Sequence, residues 1–142
     1  MNIKSLAIDK GDYGLEISYI GNNGDENKIA TNDAPLQALK LAIGCVEEDI
    51  RQYLHIEGMF KTSLKSVKFD ESPTVVIQLQ ELDRYPPKIA VLTTRLHQAG
   101  KQEHDIEPAR AQGLINIEEL RGECERFING ERANQELDLG ID

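Results

Sequence analysis

Between Leu36 and Tyr53, apolar residues recur at alternating steps of three and four: Leu36, Leu39, Ile43, Val46, Ile50 and Tyr53. On a helix this spacing lays them along one stripe and leaves Glu47, Glu48, Arg51 and Gln52 largely outside it. The stripe predicts an amphipathic helix that must cover an apolar surface elsewhere in the chain. A coiled-coil seam would need more heptads than this segment supplies, so packing on a sheet is expected. Asp33 is the expected N-cap and Pro35 suits the first turn.

The surface to be covered is written on both sides of that helix. Ile3 to Ile8 reads as a short strand with Leu6 and Ile8 on one face. Leu15, Ile17 and Tyr19 alternate with Glu16 and Ser18, the period of a half-buried strand. Gly21-Asn22-Asn23-Gly24-Asp25 is turn chemistry, and Lys28 to Ala30 closes a three-stranded meander. After Gly58 come Thr62–Phe69, Thr74–Leu82 and Lys88–Thr94, rich in β-branched residues. Val75-Val76-Ile77 and Ile89-Ala90-Val91-Leu92 are apolar on both faces. They are expected either as central strands covered on each side or as strands with one face used in association. The chain is then polar and irregular from His97 to Gly113. Asn116 is the expected cap of a closing helix, with Glu119 completing a capping box. Ile117, Leu120, Cys124 and Phe127 form its inner face, and Asn129-Gly130 stops it. The expected fold is α+β: antiparallel sheet in a βββαβββα order covered by two helices. Residues 1–130 form one domain, and residues 131–142 an acidic, flexible tail. Two βββα halves fit a structural repeat, although no residue-level similarity joins them.

Charge and cysteine content narrow the setting. The net charge of −9 is uneven: residues 1–60 carry −5, residues 61–100 carry +2, and residues 101–142 carry −6. Phosphate binding needs concentrated Lys and Arg, so direct nucleic-acid binding is not expected. No apolar run approaches the ~20 residues that span a bilayer. Met1-Asn2-Ile3-Lys4 opens without the apolar core of a secretion signal, and a cytoplasmic location is expected. Cys45 and Cys124 both fall in predicted helices, where two reduced, buried thiols are expected rather than a disulfide.

No phosphate loop, dinucleotide fingerprint, zinc-finger cysteine pair, His-Glu-x-x-His or nucleophile elbow occurs. Three weaker constellations remain. His97, Glu103, His104, Asp105 and Glu107 hold nitrogen and oxygen ligands for a divalent metal, but a solvated polar loop explains them better. Arg84, Tyr85, Lys88 and Arg95 lie in the positive segment and could contact a phosphate or nucleotide. A turn stiffened by Pro86-Pro87 is the blander account. In the tail, Gln135-Glu136-Leu137-Asp138-Leu139 resembles the glutamine-plus-leucine peptides with which bacterial replication proteins engage the sliding clamp. Gln135, Leu137 and Leu139 would be its contacts, and a frayed terminus is the blander account.

Three blocks in this order resemble a group of small proteins, of no assigned role, encoded by tailed phages and prophages. The first is the amphipathic helix running into Tyr53-Leu54-His55-Ile56-Glu57-Gly58. The second joins Ser66-Val67-Lys68-Phe69, Val75 to Leu82, and Pro87-Lys88-Ile89-Ala90-Val91-Leu92-Thr93-Thr94. The third is Glu118-Glu119-Leu120 through Arg126-Phe127-Ile128-Asn129-Gly130-Glu131-Arg132-Ala133-Asn134-Gln135. The chain departs from that pattern at Thr93-Thr94-Arg95, where Asn-Thr-Pro is usual, and in its longer tail. The resemblance implies a setting, the host cell cytoplasm, rather than a mechanism. The expected function is a non-enzymatic accessory, without cofactor or metal, that binds a host or phage protein in DNA metabolism or in countering host defence. A homodimer is an open possibility. The alternatives are a nucleotide-sequestering protein using Arg84, Tyr85, Lys88 and Arg95, and a metal-dependent hydrolase built on residues 97–107.

Overall fold

A computed structural model describes residues 1–10, 13–83, 85–86, 88–96 and 108–131 of the 142-residue chain. Its elements run β1 (Asn2–Lys10), β2 (Tyr13–Ile20), β3 (Glu26–Thr31), α1 (Gln37–Tyr53), β4 (Phe60–Lys68), β5 (Thr74–Glu81), β6 (Ile89–Arg95) and α2 (Pro108–Ile128). The six strands make one antiparallel sheet in the order β3-β2-β1-β4-β5-β6. The fold is therefore α+β with the expected βββαβββα order. Each half is a meander that starts at the centre and works outward to its own edge.

Strand register explains why one face of the sheet is dry. Ile29, Ile17, Leu6, Val67, Val75 and Thr94 stand opposite one another in an unbroken row across all six strands. The four central members, Ile17, Leu6, Val67 and Val75, are fully buried. The alternate residues Ala30, Glu16, Ala7, Ser66, Val76 and Thr93 form a row on the opposite, polar face. Both central strands break the period of two once. Ile3 and Leu6 are buried although three residues apart, as are Leu64 and Val67, because a bulge shifts the register between Ile3 and Ser5 and between Leu64 and Ser66.

The two helices pack on each other, α1 over β4 and α2 over β1. Leu39, Val46 and Ile50 from α1 meet Ile117, Leu120, Cys124 and Phe127 from α2 in a single core. Full burial of each such aliphatic or aromatic side chain contributes about 1.5–3 kcal/mol.

Five expectations are corrected. The closing helix begins at Pro108, eight residues before Asn116, so 108–113 is helical rather than irregular. Asn116 is not a cap: its amide donates to the Asp49 carboxylate on α1, a cross-helix tether that looks locally like a capping residue. Asp33 is not a cap either, since α1 starts at Gln37 with Leu36 in the cap position and no side-chain cap bond. Pro35 disfavours helical backbone at the residue before it, which delays the start. Cys45 is exposed, not buried, because it sits about a third of a turn from Val46, off the stripe that faces the sheet. Finally, Ile89 to Leu92 do not form a central strand; β6 is an edge.

The helix stop is as expected. Gly130 takes φ +99, its N–H donates to the Phe127 carbonyl, and that of Glu131 to the Arg126 carbonyl, closing a Schellman motif. No helix among the described residues is long and apolar enough to cross a membrane.

Candidate association surface on the β6 edge

The sites expected from sequence are dispersed. His97, Glu103, His104, Asp105 and Glu107 lie outside the described residues, as do Arg84, Gln135, Leu137 and Leu139. Among the described residues, no group of three His, Cys, Asp or Glu side chains is placed to hold a metal ion. Tyr85 is 96% exposed on the turn before β6. Lys88 and Arg95 stand at opposite ends of that strand, on the order of 20 Å apart. The Arg95 Nε donates to the Ser72 carbonyl at 3.3 Å, which draws its guanidinium toward the β4–β5 turn. Lys88 and Arg95 are not brought together.

What the fold does assemble is an apolar corner around the free edge. Six of the nine exposed large hydrophobic side chains among the described residues are Met59, Leu82, Tyr85, Ile89, Val91 and Leu92. They crowd the outer end of the second meander: the Leu82 N–H donates to the Met59 carbonyl at 2.9 Å, and the β5–β6 turn follows directly. A cluster of this kind differs from hydrophobic residues scattered singly over a surface, which are ordinary. Ile89 is 55% exposed and Val91 60%, both on the polar face of the sheet, where their cross-strand partners are Gln80 and Gln78. Leu92, 37% exposed, lies on the other face beside Ile77.

On that same face the helix layer stops short of the corner. Phe60, Leu79, Glu81, Lys88 and Ala90 line a concavity of about 250 Å³ there. Ala90 is exposed and too short to fill it. Two further hollows, one along Lys4, Tyr19 and Lys28 and one between Asp70 and Arg121, are polar-rimmed and bring no reactive set together.

The ionisable groups away from this corner serve the fold. Burial pushes the Cys124 thiol up to about 12, so it stays protonated and inert between the helices. Burial also raises the Glu47 carboxyl, against the opposing pull of the Leu64 backbone and the Lys61 ammonium. Arg126 bonds Glu123 and Glu131, which ties the first residue of the acidic tail to the end of α2.

Sequence reading singled out Ile89 to Leu92 as apolar on both faces and missed the hollow beside them. A usable signal was present, because the last strand of a meander has no following strand to pair with. The hollow has none, since Phe60, Leu79 and Ala90 come from three separate strands. No family model, no curated protein and no solved structure matches the chain.

Proposed function

We propose that this chain is a non-catalytic accessory protein that acts by joining another protein chain to the β6 edge of its sheet. The observation that supports it is an edge strand with no neighbour on its outer side among the described residues. From Ile89 to Thr94 there is no charge and no proline, the two devices that normally keep a free edge from recruiting a further strand. Main-chain hydrogen bonds would supply affinity, and the side chains of alternate residues would supply selectivity. A phage or prophage setting in the host cytoplasm, with a role in DNA metabolism or in countering host defence, belongs to the same proposal and rests on the sequence resemblance alone.

The test is quantitative capture of partner protein by wild type and by Val91→Lys, with each variant's fold checked by circular dichroism. A lysine at this exposed position should cut recovery at least tenfold and leave the spectrum unchanged. Equal recovery by the two forms would remove the edge from the account. Removal of residues 131–142 in parallel measures what the tail adds.

A further inference from the structure

We propose that the strand added to β6 is the β6 of a second copy, antiparallel and related by a two-fold axis through Val91. The inference rests on the reading of β6 as an association edge and names its occupant.

Backbone alternation sets the possible registers. The Lys88 carbonyl accepts from the Glu81 N–H at 3.2 Å, and the Leu96 N–H donates to the Pro73 carbonyl at 2.8 Å. Even-numbered residues of β6 therefore bond to β5. The N–H and C=O groups of Ile89, Val91 and Thr93 point away from the sheet, where no strand lies among the described residues. An axis through Val91 pairs Val91 with its own counterpart and Ile89 with Thr93 of the second copy. That ladder holds about six hydrogen bonds.

Side-chain size selects among the registers. With the axis at Val91, Ala90 stands opposite the second copy's Leu92, so a large residue meets the small one that leaves the Phe60–Leu79 hollow open. The two-fold repeats this fit on the other side of the axis. An axis at Leu92 would set two leucines against each other. One at Ala90 would set two alanines together and leave each Leu92 facing a Lys88.

Charge opposes a second copy less at this edge than along the acidic segments. Two molecules of net charge −9 repel, and the segment 61–100 is the one stretch whose balance is positive. Lys88 stands opposite the second copy's Thr94 at each end of the seam, and Arg95 bonds back to Ser72.

The experiment is analytical ultracentrifugation of the full chain across a concentration series. Wild type should sediment at twice 15.9 kDa. Val91→Lys and Thr93→Lys should each weaken the dimer at least 100-fold with an unchanged circular-dichroism spectrum. Ala90→Leu and Leu92→Ala should each weaken it about tenfold, and the double variant Ala90→Leu/Leu92→Ala should recover most of the loss, because it exchanges large for small across the seam. A wild type that stays monomeric at about 100 µM overturns the self-pairing. If Val91→Lys still lowers capture of another protein in that case, the edge reading survives it. A dimer indifferent to both lysine variants overturns the two together. A double variant weaker than either single one overturns the Val91-centred register.

Discussion

β3 and β6 occupy equivalent places, each the third strand of its βββα half and each an edge of the same sheet, yet they show water different chemistry. β3 exposes Glu26, Asn27 and Lys28 at one end and tucks Ile29, Ala30 and Thr31 half under the core at the other. Lys28 is held to Glu16 of the neighbouring strand at 3.2 Å. Pairing a further strand with β3 would strip water from those charges. β6 exposes Ile89, Val91 and Leu92, which lose only unfavourable hydration when covered. The repeat is thus one of architecture, while protection of the edge belongs to one half alone. The helix layer sharpens the asymmetry, since Ile29 packs against the core from β3 and no residue of β6 joins it.

The largest effect should come from the support the two edges share. Leu120 is fully buried in α2, and Leu120→Asp places a charge among Leu, Ile and Val side chains. It should cost more than about 4 kcal/mol and unfold the domain. Amide exchange should then lose protection at β3 and β6 together; an edge that stayed protected would mean the halves fold separately. Alkaline pH tests the same unity more gently. The Cys124 thiol is raised to about 12 in the folded chain against an ordinary value near 9, so below about pH 9 its contribution is fully present. As pH rises the unfolded chain gives up this proton first, and up to about 4 kcal/mol is lost by pH 12. Denaturant titrations of wild type and Cys124→Ala should show that slope in wild type alone.

Next in size is the tether between the helices. Asn116→Ala leaves the Asp49 carboxylate, 8% exposed, without the amide that meets it, and should cost about 1–3 kcal/mol by thermal melting. Association through β6 should persist in this variant, because neither residue of the tether belongs to that strand. The smallest change in stability, within about 0.5 kcal/mol, is expected for Glu26→Val with Lys28→Val, since the Lys28–Glu16 pair that it removes is partly exposed and contributes little. Its effect on association should be larger. A β3 stripped of charge would acquire the character of β6, and sedimentation should then show species above the dimer. No such species would mean that charge is not what guards β3.

Much of this molecule was legible in sequence because its signals are local. The α1 stripe, the alternation of β2 and the inner face of α2 each depend on residues a few positions apart, and burial of Leu39, Val46, Ile50, Leu120 and Phe127 follows them. The failures share a cause. Asn116 and Asp33 have the chemistry of caps, but one is claimed by Asp49, 67 residues away, and the other is displaced by the backbone preference of Pro35. The bulges at Lys4 and Lys65 leave no local trace either, since they show only when partner strands are aligned.

Periodicity and turn chemistry, acting over a few residues, determined which segments became helix or strand and which side of each is apolar. The sequence by itself therefore settled the βββαβββα order and the composition of the core. Where the bulges fall, and which apolar residues stay wet, was decided only by the tertiary pairing. Ile77 and Val91 read alike in the chain; one is buried because it lies on the core face between two neighbouring strands, and the other is exposed because it lies on the opposite face of an edge strand.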